Sequence, residues 1–206
     1  MKRRILVFLL ALCLAAALVP VTAFAGGGPS FGGGSGTEKD PWLITSSEDL
    51  IDLANRLNSD STGSTYFHFN SCFFKQTADI DLTGVAWEPI GYSSETFFAG
   101  HYDGDGHIIT NAVSSGKSDE HGYATAGIFG WVSYGSVQNL HVKAATFKTT
   151  GENNYSYVGG ITGMCYSASI KNCSVTGSTL ESKCNNNTNN CAGSIVGSSS
   201  FGNFEN

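Results

Sequence analysis

Apolar positions in this chain follow two different periods. Between Thr45 and Asn58 they fall at helical spacing, with Leu50, Ile51, Leu53, Ala54 and Leu57 on one side. Thr45 and Ser46 stand three residues ahead of Glu48 and Asp49, the reciprocal pattern that starts a helix. The spacing predicts one amphipathic helix of about three turns, ending near Asn58. From Tyr66 onward the pattern changes. Phe67, Phe69, Phe73, Phe74, Ile80, Leu82, Trp87 and Ile90 sit in short runs separated by turn residues. Gly100, Gly104, Gly106, Gly116, Gly122, Gly127, Gly130 and Gly135 punctuate the middle of the chain. Many short strands with regular glycine turns predict an all-β architecture.

The strand pattern repeats. Gly127-Ile128-Phe129-Gly130 returns 33 residues later as Gly160-Ile161-Thr162-Gly163, and then as Ser194-Ile195-Val196-Gly197. Val137-Gln138-Asn139 returns as Ile170-Lys171-Asn172 and as Phe204-Glu205-Asn206. A period of this length built from strands predicts a β-solenoid, in which each repeat is one turn of a coil. Apolar side chains then stack on those of neighbouring turns. Ile128, Ile161 and Ile195 form one expected inward ladder, Val137, Ile170 and Phe204 a second, and Val142 and Val175 a third. The first turn of such a coil exposes an edge that must be covered. The helix is expected to cap it, the alternative being a helix packed on the side of the coil. The last repeat is incomplete, which predicts an open coil end at Ile195 and Phe204 and either fraying there or self-association through it.

The termini set the compartment. Lys2, Arg3 and Arg4 precede an uncharged apolar run from Ile5 to Val19, and Ala23-Phe24-Ala25 is a small-x-small cleavage site. This is the layout of a secretory signal peptide over residues 1–25, cleaved after Ala25. The run is shorter than the roughly 20 residues of a membrane anchor. Leu12 ahead of Cys13 is bulkier than the usual lipoprotein pattern. Residues 26–37 are glycine-rich and read as a flexible leader, with order beginning near Asp40. Residues 38–65 hold a strand and the helix, and residues 66–206 the repeats. With three of the 11 basic residues in the signal, 8 remain against 17 acidic ones, a net of −9. Such a surface repels nucleic acid and anionic lipid. Five cysteines remain after cleavage: Cys72, Cys165, Cys173, Cys184 and Cys191. An odd number leaves a free thiol or an intermolecular bond. Cys184 and Cys191 flank a polar loop and are the candidate disulfide.

Four phrases in order resemble one known family. "GTEKDPWLITSSEDLIDLA" is similar to an opening strand and capping helix, "TADIDLTGVAWEPIG" to a first coil, and "FAGHYDGDGHIITN" to an aromatic-glycine-aspartate turn. The repeated glycine phrase is similar to the motif of GLUG-motif proteins, with Ser194 in place of a usual glycine. That resemblance implies an exported bacterial surface protein, adhesin-like, with a right-handed parallel β-helix and a short N-terminal capping α-helix. A related stretch lies beside the catalytic domain of IgA-cleaving metallopeptidases. The resemblance implies no catalytic act for this stretch.

Candidate chemistry is sparse. No His-Glu-x-x-His zinc helix and no Gly-x-Ser-x-Gly nucleophile elbow occurs. Asp79, Asp81, Glu88, Asp103 and Asp105 are the acids from which a glycosidase would need a flanking pair. Asp103 and Asp105 are also calcium candidates, set against the turn-forming habit of aspartate and glycine. Asp79 and Asp81 alternate with Ile80 and Leu82 and are expected to face outward. His68, His101, His107, His121 and His141 show no metal-ligand spacing, and no cofactor is expected. Tyr92, Phe97, Tyr102, Tyr123, Trp131, Tyr134, Tyr155 and Tyr157 lie near turns, where a ring with a polar tip suits sugar or protein recognition. Tyr123, Trp131, Tyr134, Tyr155 and Tyr157 are the binding candidates, beside two loops that interrupt the repeat. The sequence therefore predicts an exported non-enzymatic module that binds host or environmental glycan or protein. A carbohydrate-active β-helix enzyme and a structural spacer before a downstream domain are the alternatives.

Overall fold

Like side chains stack on like in a parallel β-solenoid. The computed structural model describes residues 31–59, 69, 71–151, 155–184 and 189–205. The expected signal segment 1–25, the first residues of the expected leader, His68 and loop residues 152–154 and 185–188 lie outside these. Among the described residues, five parallel sheets run the length of the coil. The first contains β1 (Trp42–Ile44), β2 (Phe73–Gln76), β4 (His101–Asp103), β9 (Ser136–Gln138), β14 (Ser169–Lys171) and β19 (Asn203–Glu205). The second contains β3 (Ile80–Asp81), β5 (Ile108–Thr110), β10 (His141–Lys143) and β15 (Ser174–Thr176). The third contains β6 (Val113–Lys117), β11 (Thr146–Gly151) and β16 (Thr179–Cys184). The fourth contains β7 (Tyr123–Ala126), β12 (Tyr155–Gly159) and β17 (Asn189–Gly193), and the fifth β8 (Phe129–Ser133), β13 (Thr162–Tyr166) and β18 (Val196–Ser200).

Register turns the repeat into ladders. Trp42, Phe74, Tyr102, Val137, Ile170 and Phe204 are successive partners along the first sheet. Ile80, Ile109, Val142 and Val175 do the same along the second. Ile128 and Ile161 are fully buried and Ile195 packs on the same core, so the expected ladders form. The coils are not perfectly periodic. Val158 pairs with Ala126, 32 residues earlier, whereas Thr162 pairs with Phe129, 33 residues earlier. The extra residue is absorbed at Gly159-Gly160, so Gly127 continues the register toward Gly159 rather than Gly160.

The motif glycines and the glycines just before them mark a close approach of backbones where the fourth sheet bends into the fifth. A Cβ on Gly159 would lie 2.1 Å from the Thr162 carbonyl, and one on Gly193 2.0 Å from that of Val196. A Cβ on Gly163 would lie 2.7 Å from the Tyr157 carbonyl. Other corners need a left-handed backbone, which most side chains avoid. Asn111, Ala144 and Gly177 take it at one corner, Asn139 and Asn172 at a second, and Tyr134, Ser167 and Phe201 at a third. Asparagine suits this conformation, and the Asn172 amide donates to Asn139 Oδ1 at 2.8 Å, tying one corner to the next.

Helix α1 (Ser47–Asn58) starts as its sequence predicts. The Asp49 amide donates to Ser46 Oγ, while the Asp49 carboxylate accepts from the Thr45 amide at 2.8 Å and hydroxyl at 2.6 Å. Leu50, Leu53, Ala54 and Leu57 are buried in the same core as Ile44, Phe74, Ile90 and Phe98. Asn58 then fixes the helix end, donating to the Pro89 carbonyl and accepting from the Gly91 amide, both at 2.9 Å. Ile90 in that segment bridges Phe129, the start of the fifth sheet. The helix therefore stands where the longer coils begin, as a cap.

The expected flexible leader needs correcting from Phe31 onward. Phe31 is buried, 5.7 Å from the Trp42 ring and 6.0 Å from Phe74. The Gly32 amide donates to the Leu43 carbonyl, and the Leu43 amide to that of Gly33, each at 2.9 Å. Glycines here permit contact rather than freedom: a Cβ on Gly34 would lie 1.9 Å from the Pro41 carbonyl.

Candidate functional site

The third and fourth sheets form an arm whose two layers enclose small polar residues. Thr149 and Ser156 share a short hydroxyl contact, and Ser182 lies 2.7 Å from Ser156. Gly116 packs so tightly that a Cβ there would meet the Thr125 carbonyl at 2.1 Å. Phe147 at the start of β11 packs into the main core, while Tyr123 and Tyr155 at the start of the fourth-sheet strands are half-buried.

Four of the five aromatic binding candidates converge on this arm. Tyr123 and Tyr155 are register partners on adjacent coils and stack at 4.5 Å with an interplanar angle of 18°. Trp131 meets Tyr123 edge-on at 5.3 Å. Tyr157 lies 6.4 Å from Tyr123 but is only 8% exposed, so it supports the cluster from beneath. Burial, with nearby Cys191, Tyr123 and Tyr155, raises the Tyr157 hydroxyl pKa and keeps it a neutral donor. Tyr134 is not part of this group. It stands at a left-handed corner beyond the fifth sheet, 65% exposed, with Phe97 and Tyr166 as ring neighbours.

Asp119 anchors the arm's edge. One carboxylate oxygen accepts from the His121 and Tyr123 amides at 2.9 and 2.8 Å, and the other from the Ser94 amide at 3.4 Å. Beside it, His121 Nε2 lies 3.2 Å from Glu95, and the ligand atoms of Glu95, Glu120 and His121 all fall within 4.8 Å of one another. The Glu95 contact raises the His121 pKa, with Asp119 and Glu120 adding to it. The sequence did not reveal this trio, because Glu95 belongs to a loop 26 residues before His121.

The other acids are tied into turns. Asp79 accepts from the Ile108 amide at 3.0 Å and faces His107 at 3.1 Å. Asp81 accepts from Thr83 and from the Asn111 amide group at 2.9 Å. Asp103 accepts from the Asp105 amide, from Asn139 and from Gln138, while Asp105 pairs with Lys75 at 3.1 Å. The calcium candidates Asp103 and Asp105 are thus engaged by donors of this chain, as turn residues are. Donors lower the Asp79 pKa, led by Ile108, and the Asp81 pKa, led by Asn111. For Asp103, burial pushes upward, but Asn139, the Asp105 amide, Gln138 and Lys75 together leave it lowered. Asp79 and Asp81 face outward as expected, and Glu88 is exposed.

Histidines and cysteines scatter. His101 contacts Ser136 at 2.9 Å and stacks on Phe73, and burial lowers its pKa. His141 contacts Ser174 at 2.8 Å. Of the expected Cys184–Cys191 bridge, the Cys184 side chain lies outside the described ones, and Cys191 is held in β17 opposite Tyr157 by sheet register. Cys165 and Cys173 are buried thiols, and burial pushes the Cys173 thiol up to about 11. Among the described residues, no helix is long and apolar enough to cross a membrane.

No family model matches the chain. It is 32% identical over 151 residues to a protein described as a Gly-rich membrane protein from Evansella cellulosilytica. It is 28% identical over 176 residues to a halomucin from Haloquadratum walsbyi. These alignments take in 70% and 80% of this chain but 15% and 2% of the relatives, so the chain spans a small part of their length. A crystal structure assigned to an immunoglobulin A1 protease from Bacteroides ovatus superposes over 85% of this chain and 77% of that one, at 18% identity and a TM-score of 0.47.

Proposed function

We propose that this chain is an exported, non-enzymatic β-solenoid module of a bacterial surface protein, adhesin-like and of the GLUG-motif kind. In this reading it binds host or environmental glycan or protein through the arm. The observation that carries it is the stacked Tyr123–Tyr155 pair with Trp131 at its edge. Rigid aromatic faces with polar tips bind at low entropic cost. Export rests on the signal peptide ending at Ala25, and surface placement on the similarity to a Gly-rich membrane protein and a halomucin. The lowered pKa values of Asp79, Asp81 and Asp103 speak against a general acid, which needs a raised one. A spacer role is the second reading, favoured by how little of its relatives' length the chain matches.

Glycan and protein arrays probed with the secreted chain test the choice. Binding that weakens about tenfold or more in a Tyr123→Ala/Tyr155→Ala variant supports the module. A spacer gives no reproducible signal on either array.

A further inference from the structure

The solenoid carries a second aromatic row outside the arm. Phe97, Tyr134, Tyr166 and Phe201 come from four successive levels of the coil. Their ring centroids are 6.4, 5.6 and 6.1 Å apart in that order, each pair close to edge-on. Sheet register sets this order. The Phe98 carbonyl accepts from the Ser133 amide, that of Tyr166 from the Tyr134 amide, and that of Ser200 from the Ser167 amide.

Conformation makes the row unusual. Tyr134 has φ 60° and Phe201 φ 58°, a region where bulky side chains are strained. The same corner in the coil between them holds Ser167 at φ 46°. The fold therefore closes this corner without an aromatic. The other two left-handed corners use Asn, Ala or Gly. Burial does not favour the Tyr134 ring either, since it is 65% exposed. Two large rings thus stand where local conformation disfavours them.

We propose that Phe97, Tyr134, Tyr166 and Phe201 form a subsite for a neutral polysaccharide lying along the coil axis. This rests on the binding reading above and assigns it a second contact row and a ligand class. Ring faces accept the C–H faces of sugars, and the ring steps are about the length of one sugar unit. The exposed Ser167 hydroxyl sits within the row to meet sugar hydroxyls. The net charge of −9 that remains without residues 1–25 disfavours an anionic polymer.

Affinity electrophoresis of the full chain tests this, in gels containing galactomannan, mixed-linkage β-glucan or dextran, with alginate as the anionic comparison. At least one neutral polymer is expected to retard the chain, and alginate is not. A Tyr134→Ser/Phe201→Ser variant copies the residue that the intermediate coil already uses. It is expected to melt no lower than the parent and to lose retardation by about tenfold or more. If it is retarded like the parent while Tyr123→Ala/Tyr155→Ala is not, the corner subsite is refuted and the arm reading stands. If no neutral polymer retards the parent, or if the corner variant loses only a protein ligand, the glycan assignment is refuted.

Discussion

Gly163 offers the sharpest test of why this sequence writes its glycine phrase repeatedly. An alanine Cβ at this position would lie 2.7 Å from the Tyr157 carbonyl, 3.0 Å from that of Gly130 and 3.0 Å from Thr125 Cβ. Two of the three neighbours are backbone atoms held in parallel ladders, so no side chain can rotate away. Thr162 and Met164 on either side are registered both to β8 and to β18, which blocks a shift along the axis in either direction. Overpacking of this kind costs about 1 to 3 kcal/mol, and a rigid backbone contact belongs at the upper end. Stiffening of the unfolded chain by alanine returns about 0.4 to 1 kcal/mol, leaving a net loss of about 2 kcal/mol. For a domain of this size that lowers the melting temperature by about 4 to 8 °C. Gly84→Ala is the matched control, because Gly84 has φ +78° and open space around it. It carries only the left-handed penalty of about 1 to 2 kcal/mol, against the same unfolded-state gain. Thermal denaturation followed by far-ultraviolet circular dichroism measures both. If Gly163→Ala melts with the parent, or above Gly84→Ala, close backbone approach is not what this glycine provides.

Two further outcomes rest on the turn acids and the last coil. Asp79, Asp81 and Asp103 have folded pKa values below 3.8, so their contribution is complete above that value and is lost as pH falls through the lowered ones. The melting temperature is expected to hold steady down to about pH 5 and to drop below it, and Asp81→Asn to flatten that drop while lowering stability at neutral pH. A piece cut at Asn206 leaves Phe204 48% exposed beside Ile195 and Val196, and that piece is expected to associate with rising concentration, which Phe204→Ser reduces. A concentration-independent monomer in sedimentation velocity contradicts that expectation.

Legibility in the sequence followed the strength of the periodic constraint. The ladders through Val137, Ile170 and Phe204 and through Val142 and Val175 were readable because an apolar residue must recur wherever a coil meets the core. Helix α1 was readable because Ser46 and Asp49 announce its start. Phe31 was missed because glycine-rich composition resembles a linker, although glycine also permits the closest packing. The register step at Gly159-Gly160 was invisible to alignment, which needs no hydrogen bonds. Tyr123, Trp131, Tyr155 and Tyr157 could be named but not grouped, and Tyr134 was placed with them because sequence does not show which face a corner presents. Phe201 and Tyr166 escaped notice because the residue aligned with Tyr134 in the next coil is Ser167, which breaks the apparent repeat.

Every ladder of the solenoid bonds along the coil axis, coil upon coil. Tension applied between the two ends therefore pulls on the rungs in sequence and does not shear them together. The molecule is expected to yield by peeling, releasing one coil of 33 residues, or about 110 Å of chain, at each step. Under load such a chain acts as an extensible tether that takes up force in small increments, and the coils still stacked keep their side-chain rows intact until their own turn comes.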